Sequence, residues 1–149
     1  MELQWILKKF DDLTAAELYA VMQLRNEVFV VEQNCAYQDA DDKDPKSFHF
    51  MGWDGKTLVA YTRIIPQGVS YAEASIGRVV TSPKYRRTGA GRQLMQLSIN
   101  NTFSQFNCSA IKIGAQLYLK SFYQSLGFAQ CSQQYLEDNI PHIEMLLSK

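Results

Sequence analysis

The sequence predicts an α/β protein, an α+β arrangement in which helices flank a mixed, mostly antiparallel sheet. Two kinds of pattern predict it: runs of β-branched and aromatic residues bounded by turn residues, and segments where apolar residues recur every three or four positions. The predicted order is helix, loop, hairpin, strand, helix, strand, helix and two strands. A chain of 149 residues with 46% hydrophobic content can bury one core, so we expect a single domain spanning residues 1–149.

A capping box opens the first predicted helix. Thr14 is followed three residues later by Glu17, and this pair can satisfy two free amides at a helix start. Apolar residues at helical spacing then carry the helix to about Phe29. From 33 to 46 the periodicity is lost and four aspartates fall within six positions, which predicts an exposed loop. These aspartates are Asp39, Asp41, Asp42 and Asp44.

The remaining elements follow from turn residues that separate apolar runs. Asp54-Gly55 suits a tight hairpin turn, and Gly127 ends a helical segment. Pro83 stops a strand because proline cannot donate a ladder hydrogen bond. We expect strands at 47–53, 57–65, 75–81, 110–115, 128–136 and 142–147, with a helix at 91–104 and another around 119–126.

Charge and cysteine content restrict the function class. Fifteen basic and fifteen acidic residues give no net charge, so the chain has no overall field to attract nucleic acid or an anionic membrane. No apolar run approaches the roughly 18 residues of a membrane span, and the N-terminus is unlike a signal peptide. Three widely spaced cysteines suggest reduced thiols, which fits a cytoplasmic protein.

The most informative segment is a strand followed by a basic, glycine-containing turn and a helix start. Free amides at a helix N-terminus attract anions, and glycines let phosphate oxygens approach the backbone. The spacing matches neither the nucleoside-triphosphate loop nor the dinucleotide fingerprint. A diphosphate is therefore a candidate ligand for this turn, whose residues are Arg86, Arg87, Thr88, Gly89, Ala90, Gly91 and Arg92.

Arg86-x-x-Gly89-x-Gly91 resembles the pyrophosphate motif of the GCN5-related N-acetyltransferase (GNAT) superfamily. The segments 122–128, Phe-Tyr-x-x-x-Gly-Phe, and 114–116, Gly-Ala-Gln, also match that superfamily, whereas 25–41 and 138–145 resemble its ElaA-type branch. The resemblance implies the GNAT acyl-CoA N-acyltransferase fold. It also implies acetyl transfer from acetyl-CoA to an amine of a small molecule or peptide, and a homodimer, which is common in the superfamily.

The resemblance further implies roles for individual residues. Tyr123 corresponds to the proposed general acid, and backbone amides of Val79, Val80 and Thr81 would hold the coenzyme together with Gln116. Tyr123 also lies on an apolar helix face, so a core aromatic remains an alternative. For the general base the sequence offers four candidates, of which Glu32 ranks first because it follows the helix that borders the acceptor site. The others are Glu73, His49 and His142.

Two arginines, Arg25 and Arg78, interrupt apolar faces and therefore need carboxylate partners or a place in the pocket. Together with three other residues they form the predicted acceptor site: Arg25, Glu32, Gln33, Arg78 and His142. The aspartate-rich loop lacks the glycine and glutamate of a calcium loop, so no metal is implied. Two other functions remain open: a non-catalytic coenzyme-binding or protein-interaction module, and an acyl-homoserine-lactone synthase.

Overall fold

The structure is a computed structural model that describes residues 2–149. Within that range the chain forms eight strands and three α-helices, joined by turns and one π-helix. The bounds are β1 Gln4–Lys9, α1 Ala15–Arg25, β2 Phe48–Asp54, β3 Thr57–Ile65, β4 Ser75–Thr81, α2 Ala90–Phe106, β5 Ala110–Gln116, α3 Lys120–Gln124, β6 Ala129–Gln130, β7 Tyr135–Glu137 and β8 Ile140–Ser148.

The strands form two antiparallel sheets that meet along one line. The first sheet has the order β1-β2-β3-β4, and in the second β8 pairs with β5, β6 and β7. A parallel bridge between Ala74 and Ile111 joins the sheets, and the amide of Lys112 donates to the carbonyl of Ala74 at 2.9 Å. Beyond this bridge β4 and β5 do not pair and the strands diverge. The predicted mixed, mostly antiparallel sheet is confirmed, and its divergence leaves room for a site.

A β-bulge lies in β4 at the point of divergence. Tyr61 of β3 faces Val80 and Arg63 faces Gly77, so β4 carries one residue more than β3 over this stretch. Arg78 within the bulge has φ = 49°, a left-handed conformation that is unusual for a residue with a side chain. The bulge interrupts the regular pairing of β4 beside the gap between the sheets.

Helix α1 begins with the predicted capping box. Thr14 Oγ1 accepts from the Glu17 amide at 3.1 Å, and the Glu17 carboxylate accepts from the Thr14 amide at 2.8 Å. The predicted end at Phe29 is wrong, because the chain continues past α1 as a π-helix over Asn26–Glu32. The wider π-turn is closed by bonds such as Gln33 N to Val28 O at 3.1 Å. Such π-segments often occur at functional sites.

Helix α2 packs across the junction of the two sheets. Leu94 contacts the core of the first sheet, and Met95 contacts that of the second, which includes Ile111 and Ile143. On the opposite side, α1 packs Val21 against the first sheet. Burial of these side chains fixes the relative position of the sheets. No helix within residues 2–149 is long and apolar enough to cross a membrane.

Strand β1 was absent from the predicted order. It pairs with β2, and Trp5 lies over Gly52, where an added Cβ would be 2.6 Å from the indole ring. The stretch Gln4–Lys9 has an unbroken Trp-Ile-Leu run without alternation, so neither periodicity identifies it. The predicted continuous strand 128–136 was also wrong. Only β6 and β7 form there, separated by a loop.

Candidate active site

A cleft of about 780 Å³ opens where β4 and β5 diverge. Its walls come from the π-helix, the bulged strand β4, the start of α2, β5, α3 and the turn between β7 and β8. At that turn Asp138 and Asn139 both have positive φ, which suits a two-residue hairpin. The fold thus brings together segments far apart in sequence around one concave surface, the usual form of a ligand site.

The glycine-containing turn forms one end of the cleft. Gly89 caps α2 with φ = 85°, and the first helical bond runs from Gln93 N to Gly89 O at 3.1 Å. The amides of Gly91 and Arg92 precede Gln93, the first helical donor, and have no acceptor within the helix, so they can bind a ligand. A Cβ at Gly91 would have Thr81 Cγ2 at 4.0 Å, so the backbone is open to the cleft there. These features fit a phosphate group.

The other side chains of this turn have structural contacts. Thr88 Oγ1 donates to the Tyr85 carbonyl at 2.6 Å and also accepts from the Ala90 amide at 3.4 Å. Both terminal nitrogens of Arg92 donate to Ser125 Oγ, at 3.1 and 3.0 Å. Arg87 is exposed. Arg86 and Gly91 are the members of the predicted turn that line the cleft.

Glu32, the first-ranked base candidate, is paired with Arg86, a predicted phosphate ligand. Arg86 Nη1 donates to Glu32 Oε2 at 2.9 Å, and both side chains are about 40% exposed (42% and 41%). The hydrogen bond from Arg86 lowers the pKa of Glu32. A carboxylate with a lowered pKa is a weaker proton acceptor, so this pairing favours another base.

Tyr123 of α3 lies at the bottom of the cleft. It is 5% exposed and packs against Phe122 and Phe128 with its ring edge-on. Burial raises the pKa of its phenol, so the group stays protonated at neutral pH. Tyr123 is thus a core aromatic that also lines the cleft, and the two interpretations of the sequence are compatible.

His142 lies on β8, opposite Gln116 of β5, and lines the cleft. Its Nδ1 donates to the Ile140 carbonyl at 2.7 Å, which leaves Nε2 as the proton acceptor of the neutral ring. Glu137 Oε2 lies 3.3 Å from Nε2, and Tyr135 stacks on the imidazole. Because the Glu137 side chain is 63% exposed, a ligand can displace it from Nε2 and give up a proton there.

The other base candidates lie outside the cleft. His49 is fully buried, with Nδ1 2.7 Å from the Tyr61 hydroxyl and Nε2 2.9 Å from the Asp44 carbonyl. Burial lowers its pKa, so His49 is a neutral structural residue. Glu73 also does not line the cleft. Neither residue is placed where an acceptor amine could reach it.

The aspartate-rich segment is a loop, as predicted, but it is only partly exposed: Asp42 is exposed, whereas arginines hold Asp39 and Asp44 in buried positions. Arg25 is fully buried and binds Asp39 at 2.8 Å and Asp44 at 2.7 Å. The expected carboxylate partners of Arg25 are thus confirmed. However, Arg25 does not line the cleft, so its predicted contact with the acceptor has no basis in this geometry.

Sequence analysis missed Arg63, which completes this ion-pair network. It binds Asp41 through both terminal nitrogens, at 2.7 and 2.9 Å, and also contacts Asp44 at 2.9 Å. Burial opposes ionisation of Asp41, but the hydrogen bonds and charges of Arg63 and Arg78 lower its pKa to about 2. A lone arginine in the apolar run of β3 was the available signal.

The remaining predicted residues, Arg78, Gln33 and Gln116, all line the cleft. Arg78 forms an ion pair with Asp39, with Nε 2.8 Å from Oδ1, and its guanidinium carbon lies 5.6 Å from the centre of the Tyr37 ring. Gln116 Nε2 is 3.5 Å from Gln33 Oε1, so the two amides face each other across the cleft. Within residues 2–149 no group of three or more His, Cys, Asp or Glu side chains is arranged to hold a metal ion.

The fold is that of the GNAT acyl-CoA N-acyltransferases. A profile of the acetyltransferase (GNAT) domain family matches residues 11–149, so the chain belongs to the GNAT family. Protein ElaA of Escherichia coli is 40% identical over 145 residues, covering 96% of this chain and 95% of ElaA. The crystal structure of E. coli ElaA matches with a TM-score of 0.93, at 38% identity over 99% of this chain and all of that chain.

Two further solved structures show how far the likeness extends. An acyl-CoA N-acyltransferase from Pseudomonas aeruginosa has a TM-score of 0.93 and 40% identity, covering 98% of this chain and 100% of that chain. A CoA-dependent acyl-homoserine lactone synthase has a TM-score of 0.82 at 14% identity, covering 99% of this chain and 83% of that one. The second likeness shows a shared fold alone.

Proposed function

We propose that this protein transfers an acetyl group from acetyl-CoA to an amine, by direct transfer within the cleft. The observation that carries the proposal is that one cleft contains the phosphate-compatible helix start at one end and both Tyr123 and His142 along its walls. An N-acetyltransferase needs these three parts: an anchor for the coenzyme, a proton donor and a proton acceptor.

The coenzyme would be held mainly by backbone groups. Amides at the start of α2 and Arg86 suit the pyrophosphate, since both present hydrogen-bond donors with positive charge. The stretch Val79 to Thr81 lines the cleft without forming a polar side-chain cluster, so its backbone amides are the groups available to bind the thioester arm. Gln116, at the end of β5, borders the same space.

Acetyl-CoA supplies a thioester, whose C–S bond breaks as the N–C bond of the new amide forms. Tyr123 would donate its phenolic proton to the departing thiolate, because burial keeps the phenol protonated and it faces the cleft. His142 would accept the proton lost by the amine at Nε2, since Nδ1 already donates to the Ile140 carbonyl. This assignment moves the base from Glu32 to His142.

The proposal is tested by measuring free thiol release from acetyl-CoA over a panel of amines with wild type, Tyr123→Phe and Tyr118→Phe. Tyr118 also lines the cleft but is 76% exposed, so it is the matched control. We expect the Tyr123 variant to lose roughly 100-fold or more in kcat, the range of general acid catalysis, with the control unchanged. Thermal stabilisation by acetyl-CoA without turnover of any amine would instead favour a non-catalytic coenzyme-binding module.

A cytoplasmic setting and a homodimer belong to the same proposal. Cys35, Cys108 and Cys131 are all free thiols, and two of them are not buried, which suits a reducing compartment. An acyl-homoserine-lactone synthase activity has less support, since the corresponding likeness rests on 14% identity. A lactone product in the amine panel would reverse that order.

A further inference from the structure

The part of the cleft lined by Asp41, Lys43, Arg63 and Arg78 carries a surplus of positive charge. Three arginines and three aspartates form a balanced ion-pair network there, consisting of Arg25, Arg63, Arg78, Asp39, Asp41 and Asp44. Lys43 also lines the cleft and is half-buried, but it has no carboxylate within 4.0 Å among residues 2–149. Its ammonium group is therefore uncompensated.

Arg78 adds a second set of free donors. Its Nε lies 2.8 Å from Asp39 Oδ1 without a hydrogen bond, and its Nη2 donates to the Asp39 carbonyl at 3.4 Å and to Asp41 Oδ2 at 3.3 Å. Nη1 has no hydrogen-bond partner in the described chain. The left-handed backbone of the bulge, with φ = 49°, places this side chain at the cleft rather than in the sheet. Strained backbone of this kind persists where the surroundings hold a residue in a functional position.

The wall formed by the β7–β8 turn has the opposite character. Glu137 and Asp138 line the cleft beside His142, and Asp138 forms no ion pair within residues 2–149. The two walls therefore present a cationic group and an acidic group to the same space. An acceptor with a single charge would pair with the charged group of one wall and leave that of the other wall without a counter-charge.

We propose that the acceptor is a zwitterionic amino-carboxylate such as a free amino acid, an inference that rests on the proposed function. Its carboxylate is bound by Lys43 and Arg78, and its ammonium group is drawn toward Glu137 and Asp138. His142 then takes the proton that the ammonium group must lose before it attacks the acetyl carbon. A polyamine or an internal lysine of a peptide lacks the adjacent carboxylate and leaves Lys43 unpaired.

The experiment compares thiol release for each amino acid with release for its decarboxylated amine and its carboxamide, using wild type, Lys43→Gln and Lys46→Gln. Lys46 is an exposed lysine three residues along the same loop and does not line the cleft, so it is a matched control. We expect an amino acid to be preferred over both analogues. We also expect Lys43→Gln to lower kcat/KM for it by about 10- to 100-fold, mainly through KM, because a charged hydrogen bond is lost. Lys43→Gln should have the same kcat/KM as wild type for the carboxamide. Lys46→Gln should match wild type with both the amino acid and the carboxamide.

The outcomes separate this inference from the proposed function. Preference for amines without a carboxylate, or an equal effect of Lys43→Gln on acids and amides, would overturn the inference and leave acetyl transfer in place. No thiol release with any amine would overturn both. Arg78→Gln serves as a second variant, with the thermal midpoint measured in parallel because Arg78 also supports the loop.

Discussion

Glu32 joins the end of the π-helix to the phosphate-compatible turn through its ion pair with Arg86. Phosphate oxygens would compete with this carboxylate for the same guanidinium group. Binding of a phosphate to Arg86 would therefore require the hydrogen bonds between Arg86 and Glu32 to break. An exposed ion pair of this kind contributes at most about 1 kcal/mol, so the competition is mild.

We predict that Glu32→Gln tightens binding of CoA by up to roughly fivefold at low salt, because Arg86 becomes free for phosphate. Isothermal titration calorimetry measures the change, and the effect should shrink as salt screens the charges. Glu27→Gln removes the same charge from an exposed position of the same segment and should change affinity less, because Glu27 acts on Arg86 through its charge alone, without a hydrogen bond. A large fall in kcat with unaltered CoA affinity would return Glu32 to the role of general base.

His142 gives a second prediction for a single residue. His142→Gln should lower kcat/KM by roughly 100-fold at neutral pH, since general base catalysis contributes about 10²–10⁴. The defect should diminish as pH rises, because the amine then loses its proton to solvent. Steady-state rates between pH 7 and pH 10 measure this trend. A defect that is constant across the range would show that His142 holds the β7–β8 turn and accepts no proton.

Among the elements, the start of α2 combines a helix cap with a binding surface. Gly91 lies in the first turn, where alanine stabilises a helix relative to glycine and a glutamate is favoured by the helix dipole. Glycine is therefore not the best residue for the helix itself. Its use is explained by the open space beside Thr81, into which a side chain would extend.

We predict that Gly91→Ala and Gly91→Glu both keep or raise the thermal midpoint but differ in coenzyme binding. The alanine Cβ reaches ordinary contact distance from Thr81, so CoA affinity should fall by less than about tenfold. The glutamate puts a negative charge where phosphate binds, and affinity should fall by roughly 100-fold or more. Isothermal titration calorimetry measures the CoA affinity of both variants and of wild type. Equal affinities for the two variants would place the phosphates elsewhere.

Elements with a local signal could be predicted from the sequence, and those that depend on tertiary contacts could not. The capping box at Thr14 and the turn around Gly89 are short-range patterns, and both form as expected. The extension of α1 into a π-helix, the bulge at Arg78 and strand β1 depend on packing between distant segments. In the site, the role of Tyr123 was predicted from the resemblance to a family. The hydrogen bond from His142 Nδ1 to the Ile140 carbonyl could not be predicted, because it depends on the fold of the β7–β8 turn.

At the scale of the whole molecule, three arginines, two of them buried, turn an acidic loop into part of the fold. The chain has no net charge, and six of its thirty charged residues form one network that spans α1, the loop, β3 and β4. Sequence analysis predicted that Arg25 and Arg78 need carboxylate partners or a place in the pocket, and Asp39, Asp41 and Asp44 of the loop are those partners. Arg63 of β3 is the third arginine of the network, and it pairs with Asp41 and Asp44 of the loop.

The network makes the stability of the protein dependent on pH through Asp41. Its pKa is lowered from 3.8 to about 2, so its contribution is fully present above about pH 4 and is lost as pH falls toward 2. We expect wild type to lose about 1 kcal/mol more unfolding free energy than Asp41→Asn between pH 5 and pH 2, allowing for partial solvent exposure. Urea denaturation followed by tryptophan fluorescence gives both values. Asp42→Asn, an exposed neighbour whose left-handed backbone suits asparagine, should follow wild type. If Asp41→Asn also follows wild type over this range, the arginines gain nothing from the charge on Asp41 and the loop is held by its other contacts.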